Sequence, residues 1–248
     1  MGVYDNPRDD AASVLARMRQ EDPWVQHLIV CSEAARPLAE TLGAVVCAVL
    51  DAAERFPDDP RYAEDWAAWC DRSFRKVTLR AKGAAWQRCL GFDAGVGRVG
   101  EEVKALALPP VLRSRRDPFL AKLQAWSAER DLLPPDTAPW PEGVAMAFVL
   151  NADAPMRGGK AAAQVAHAAL LLWESYGARM PEAFAAWRAG GSACVFVEAG
   201  AGPWAALKAG THCAVIRDAG LTEVAPGTET VLALVPGDTA VVRGLARV

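Results

Sequence analysis

The sequence predicts an α/β fold in which a small mixed, partly parallel four-stranded sheet flanked by helices is present twice in tandem. Three observations predict it. Short apolar runs alternate with stretches rich in Ala and Leu, a cluster of prolines divides the chain, and patterns of the first part recur in the second.

Taking the second part in order, Val144–Leu150 is a continuous apolar run of the kind a strand shows when covered on both faces. From Lys160 to Tyr176 there is neither Gly nor Pro, and the Ala/Leu content favours a helix. Ala193–Val197 reads as a strand and Pro203–Lys208 as a short helix with proline tolerated in its first turn. Cys213–Ile216 and Val231–Val235 complete the strands. Strand–helix–strand–helix–strand order implies a partly parallel sheet, and right-handed crossovers bring the carboxyl ends of its parallel strands to one edge, where such folds place their sites.

Pro134, Pro135, Pro139 and Pro141 cannot continue a helix or join the centre of a sheet. They mark a linker at 134–142 between a first domain at 1–133 and a second at 143–248. Asp65-Trp66-Ala67-Ala68-Trp69 matches Ala183-Phe184-Ala185-Ala186-Trp187 at a shift of 118, which also takes Trp86 to Trp204 and Val77–Leu79 to Val195–Val197. The same shift carries Gln26–Val30 into the run that starts at Val144, and Ala105–Pro109 resembles Leu232–Pro236 at a shift of 127. The first half therefore reads as a degenerate copy that is nine residues shorter before its last strand.

Composition narrows the function classes. With 248 residues, 52% of them hydrophobic and 23% charged, the chain can bury a sizeable core. No apolar run reaches bilayer length, so no membrane partner is expected. The N-terminus shows no basic stretch followed by an apolar one, and Asn6 stands where a lipidation signal beginning at Gly2 needs Ser or Thr, so a cytoplasmic protein is expected. Six cysteines without a C-x-x-C pair predict no metal and no disulfide framework. The net charge of −3 does not advertise nucleic-acid binding. Locally the balance differs: Arg72, Arg75, Lys76, Arg80, Lys82 and Arg88 occur without an intervening acid, and Arg113, Arg115 and Arg116 follow.

Two segments fall at the sheet edge. Asn151–Lys160 joins the first strand of the second half to its helix. Gly158 and Gly159 permit close backbone approach to a ligand, the unpaired N–H groups of a helix start favour an anion, and Lys160 adds a cation. Arg217–Thr230 leaves the third strand and turns through Pro226-Gly227, bringing Asp218, Thr222, Thr228 and Thr230 beside that loop. A carboxylate that holds water, hydroxyls that orient it and an ammonium for a developing oxyanion suit hydrolysis of an acyl bond, without naming the substrate. Gln164, one turn after Lys160, faces the same loop or packs, while His167, alone in mid-helix, reads as a packed residue.

Gly158-Gly159-Lys160-Ala-Ala-Ala-Gln164-Val-Ala-His167 resembles the helix motif of the type II peptidyl-tRNA hydrolase family. Ile216-Arg217-Asp218-Ala219-Gly220, followed by Thr222 and Ala225-Pro226-Gly227-Thr228, resembles that family's second motif. The resemblance covers Val144 to the C-terminus and implies cleavage, without cofactor or metal, of the ester between a peptide and the 3′ end of tRNA. It implies Lys160, Asp218, Thr222 and Thr230 as catalytic, with Asp218 positioning or activating water and Lys160 stabilising the oxyanion or the 3′-terminal phosphate. Gly158, Gly159, Gln164, Thr228 and Arg217 are then candidate substrate-binding residues. The chain departs from the family at Leu221, where an arginine is usual, at Arg157-Gly158-Gly159-Lys160 in place of Gly-Lys-Gly-Lys, and near Asn151, where an arginine is frequent.

With its own edge poor in cations, the second half is expected to borrow phosphate contacts from Arg72, Arg75, Lys76, Arg80 and Lys82 of the first, and from Arg157. The family commonly dimerises, so either a monomer with an internal pseudo-dimer or a homodimer is expected, with peptidyl-tRNA as partner. The rival readings are a non-catalytic tRNA- or protein-binding regulator that retains the fold, and a nucleotide-binding domain. Against the latter, Ala161 follows Lys160 where a phosphate-binding loop needs Ser or Thr.

Overall fold

The structure, a computed structural model, describes residues 22–72 and 74–248; the N-terminal stretch read above for targeting signals lies outside them. The first half contains β1 (Trp24–Cys31), α1 (Leu38–Arg55), α2 (Ala63–Arg72), β2 (Arg75–Ala81), α3 (Gly83–Cys89), β3 (Gly95–Val99), β4 (Glu102–Ala107) and the two-residue strands β5 (Val111–Leu112) and β6 (Gln124–Ala125). The second contains β7 (Ala145–Asn151), α4 (Gly158–Tyr176), α5 (Pro181–Ala189), β8 (Cys194–Ala199), α6 (Ala201–Gly210), β9 (Cys213–Arg217), β10 (Glu229–Gly237) and β11 (Ala246–Arg247). Every strand and helix expected in the second half is present, within a few residues of its expected bounds.

The first sheet has the order β3-β4-β1-β2-β6 with β5 also on β1, and the second the order β11-β8-β7-β10-β9. Without the two-residue strands, β3-β4-β1-β2 and β9-β10-β7-β8 are the same arrangement. In each, one pair is parallel (β1 with β2, β7 with β8) and the other two are antiparallel. Local geometry repeats as well. Trp69 donates its indole N–H to the Arg75 carbonyl at 2.9 Å, and Trp187 donates to that of Ala193 at 2.8 Å. Phe74 and Ser192 both have positive φ, 46° and 58°.

Strand register corrects the sequence alignment. Leu28 pairs with Thr78, and Phe148 pairs with Phe196, so Leu28 corresponds to Phe148 rather than to Met146. A two-residue step keeps each side chain on its face of the sheet, which is why the apolar pattern concealed it. The starts of α1 and α4 follow the same register, so Lys160 corresponds to Glu40 rather than to Leu42. The extra length of the second half lies in the loop 218–228 between β9 and β10, where the first half has only the turn 100–101.

The halves share one hydrophobic core. Leu42, Val46 and Leu50 of α1 join Val165, Ala169 and Leu172 of α4 in a single buried cluster that includes strands of both sheets. α1 lies directly on β3, where a Cβ on Gly95 or Gly97 would stand 2.1 Å from the Ala48 carbonyl oxygen and 1.7 Å from that of Ala44. β9 instead presents Ala214 and Ile216 towards α4, and space is left beside that helix. Among the described residues no helix is long and apolar enough to cross a membrane.

Candidate active site

The Lys160–Asp218 pair stands at the amino end of α4. Lys160 Nζ lies 2.5 Å from Asp218 Oδ2, with the two side chains 10% and 7% exposed. Gln164, one turn along the helix, donates its amide N–H to the same oxygen at 2.7 Å, and the Gly220 backbone N–H donates to Oδ1 at 2.8 Å. Three donors thus fix the carboxylate and leave acceptor capacity on Oδ1 for one further partner.

The loop that carries Asp218 is braced at its base. Asp218 N–H donates to the Thr228 carbonyl at 2.9 Å, and Gly227 N–H donates to the Asp218 carbonyl at 2.7 Å. Gly220 has φ of 74°, and a Cβ there would meet the Pro226 ring at 2.4 Å, so both conformation and space require glycine. Thr228 donates its hydroxyl to the Ala225 carbonyl at 2.7 Å. It is therefore a turn residue, and it is not among the residues that line the cleft where it was expected to bind substrate.

Thr230, expected as a catalytic hydroxyl, lies behind Gln164. It is fully buried and donates its hydroxyl to Gln164 Oε1 at 2.7 Å, so it orients Gln164 and does not itself face the cleft. Thr222 is exposed on the cleft wall, and the half-buried Leu221 lines it where the resemblance leads to an arginine. Arg217 lines the same wall and pairs with Glu229 at 3.2 Å.

The two glycines serve the chain itself. Gly158 N–H donates to the Ala128 carbonyl at 2.9 Å, and the residue packs against the Trp126 ring. A Cβ on Gly159 would stand 1.6 Å from the Trp126 carbonyl oxygen. Arg157 N–H donates to Glu223 Oε2 at 2.8 Å. The helix start expected to receive an anion is thus occupied by protein groups, although Gly159 still borders the cleft.

That cleft has a volume of about 860 Å³ and is walled by both halves. α4 supplies Lys160, Gln164, His167 and Leu171, β9 and its loop supply Val215 to Ala219 and Leu221 to Glu223, and the first half supplies Phe74 to Thr78, His27, Arg113, Arg116 and Trp126. Lys76, expected on a phosphate, is 7% exposed and enclosed: its Nζ lies 4.3 Å from the Trp69 ring centre, 4.1 Å from that of Phe74 and 3.3 Å from His167 Nδ1. Burial lowers its pKa from 10.5 to about 7. β2 turns this side chain, expected on a phosphate, inward against His167. His167 is packed as expected, and burial and then Lys76 hold its pKa well below the usual range. A neutral His167 accepts at Nδ1 from Lys76 and carries its proton on Nε2.

Of the other expected cations, Arg75 borders the cleft, Arg72 lies over Trp24 at 5.2 Å, Arg80 bonds Gln124, Lys82 is exposed, and Arg157 pairs with Glu129 at 2.9 Å. His27 and Trp126 were not legible as site residues, because contact across the two halves leaves no local signal. His27 is 2% exposed, and burial, then Arg116, lower its pKa to about 4.

A family profile described as Peptidyl-tRNA hydrolase PTH2 matches residues 144–247. A peptidyl-tRNA hydrolase of Haloquadratum walsbyi is 38% identical over 96 residues, which cover 36% of this chain and 83% of that protein. The chain belongs to the peptidyl-tRNA hydrolase PTH2 family. A second relative, from Thermococcus onnurineus, is 41% identical over 36% of this chain and 80% of its own length. The chain spans about half the length of two others, the probable peptidyl-tRNA hydrolase 2 of Schizosaccharomyces pombe (35% identical, 50% covered) and the mitochondrial peptidyl-tRNA hydrolase 2 of Homo sapiens (38%, 55% covered). All of the braced loop and all of α4 lie inside the PTH2 match, whereas His27, Lys76, Arg113, Arg116 and Trp126 lie outside it.

Proposed function

We propose that the protein hydrolyses the ester between a peptide and the 3′ end of tRNA, recycling tRNA from stalled translation in the cytoplasm. The observation that carries this reading is the Lys160–Asp218 pair of the PTH2-family domain, held by Gln164 and Gly220 on the wall of the cleft. Asp218 Oδ1 holds and orients the attacking water. Lys160 spends one of its three N–H donors on Asp218, and another is directed to the carbonyl oxygen that becomes the oxyanion. Thr222 is the hydroxyl on the same wall. Gln164 and Thr230 position Asp218 and do not touch the ester.

The first half, 1–133, is on this reading a degenerate copy of the catalytic domain, 143–248, joined to it by the linker 134–142 as an internal pseudo-dimer. The repeated strand order and the paired Trp69 and Trp187 bonds support descent from one ancestor. Glu40 in place of Lys160, and a turn in place of the Asp218 loop, account for a copy without chemistry. Its contribution is charge: Arg75, Arg113 and Arg116 border the cleft, and Arg72, Arg80 and Lys82 lie further along the same half. Together with Arg157 and Arg217 these make the phosphate track for the acceptor end.

Release of free tRNA from peptidyl-tRNA, compared between wild type and Asp218→Ala, tests the reading. Loss of turnover with tRNA binding retained supports it. Tight tRNA binding without turnover in the wild type favours the regulatory alternative.

A further inference from the structure

Successive side chains of a strand point to opposite faces, so consecutive residues line one cavity only when the cavity lies off the strand's edge. Both long walls of the cleft meet this condition. Arg75 to Thr78 of β2 line it without a gap on one side, and Val215 to Arg217 of β9 do so on the other. β9 is the outermost strand of its sheet, and β2 is covered by β6 only at Leu79 and Arg80, with Trp126 N–H bonded to the Thr78 carbonyl.

Main-chain direction follows from the neighbouring bonds. His212 and Asp218 turn their carbonyls towards β10 and the turn that leads into it, so Val215, of opposite parity, turns its N–H and C=O into the cleft. On β2, Ala81 turns its carbonyl towards Ser32, beyond the end of β1, and Thr78 turns its own towards Trp126, which leaves Lys76 with outward-facing main-chain groups. The two edges run in the same direction along α4. Thr78 meets Gly159 and Phe74 meets His167, while Asp218 meets Lys160 and His212 meets Tyr176. Apolar Leu171 and Ala163 form the floor between them.

We infer that the cleft takes an extended polypeptide as an added strand, running parallel to β9 with its carboxyl end at Asp218 and its amino end towards Cys213. This rests on the proposed ester hydrolysis and assigns the peptidyl arm of that substrate. The polarity is forced: the scissile ester joins the peptide's carboxyl end, and the catalytic pair stands at the carboxyl end of β9. Recognition through main-chain bonds is independent of side chains, which suits an enzyme that must accept any stalled peptide. The part of β9 that lines the cleft, Val215 to Arg217, offers an edge of about 10 Å, or about three peptide residues, which the loop extends at Asp218.

The test is equilibrium binding of a fluorescent, N-acetylated neutral pentapeptide amide to the full chain, beside the same peptide N-methylated at alternate amides. The expected result is binding of the parent peptide in competition with the ester substrate, weakened roughly tenfold or more by the N-methylation that removes its donors. Val215→Pro, which deletes an outward N–H at an edge where proline is tolerated, should bind both peptides with the same weak affinity. Equal affinity of wild type for the two peptides overturns the inference, as does failure of the parent peptide to bind. Intact peptide binding without hydrolysis of any tRNA ester supports the strand site and sinks the hydrolase reading alone.

Discussion

Thr230 donates its hydroxyl proton to Gln164 Oε1, and that bond determines which end of the Gln164 amide faces Asp218. With Oε1 held by a donor, the amide N–H group is the one presented to the carboxylate, where the reverse orientation would set oxygen against oxygen. A residue with no access to the cleft therefore controls a partner of the residue that faces it.

Thr230→Val removes this control at nearly constant volume. Steady-state assay should show kcat lowered about tenfold, as expected for one lost hydrogen bond of about 1.4 kcal/mol. KM should change little, and Thr230→Ser should recover most of the loss. Equal kcat in Thr230→Val and wild type would remove Gln164 orientation from the account.

Gly159 packs directly against the Trp126 backbone of the first half. Gly159→Ala places a methyl on the Trp126 backbone, and overpacking of this kind costs about 1–3 kcal/mol. Thermal unfolding should show a fall of several degrees, about 2–4 °C per kcal/mol for a chain of this size. Gly158→Ala, whose nearest neighbour is the edge of the Trp126 ring at 3.3 Å, should cost less. Equal melting temperatures for the two variants would contradict this packing.

Lys76 gives a pH signature. Its pKa falls from 10.5 to about 7 on folding, so between these values the unfolded chain binds more protons and stability rises with pH. Lys76→Met should lack that component. Melting curves between pH 7 and pH 10 should show the variant's advantage over wild type shrinking as pH rises, and parallel curves would show that the ammonium is not held in this box.

Arg113 and Arg116 border the cleft, whereas Arg80 and Lys82 lie beyond it. Charge reversal of the first pair should weaken tRNA binding and reduce the slope of log K against log salt by about two, near 0.9 for each phosphate that is no longer neutralised. Reversal of the second pair should have a smaller effect. Identical slopes in the two double variants would dissociate the cleft from phosphate binding.

Much of this arrangement was legible in the sequence. Val144–Leu150 and the Ala-rich run after Lys160 announce β7 and α4 because burial on both faces and helix propensity act locally. Strand order alone places Lys160 and Asp218 at one sheet edge, and only the resemblance gives them a substrate; no pattern of apolar residues reports their direct contact. The basic stretch from Arg72 misled for a definite reason. It reads as a run of phosphate contacts, but in Arg75–Arg80 a strand period of two sends Lys76 and Thr78 to the inner face, where they meet His167 and Gly159. The loop 218–228 showed its turn residues clearly, yet that Thr228 serves the turn and Thr230 serves Gln164 depends on geometry alone.

The most direct measurement is single-turnover release of tRNA from a peptidyl-tRNA by wild type, Lys160→Ala and Asp218→Ala, each first shown to be folded and to bind tRNA. The proposed mechanism predicts turnover by wild type and a loss of at least about a hundredfold in each variant, the scale of a missing general base or oxyanion donor. Wild-type rates in either variant would contradict the role given to that residue, and no turnover by the wild type would contradict the function.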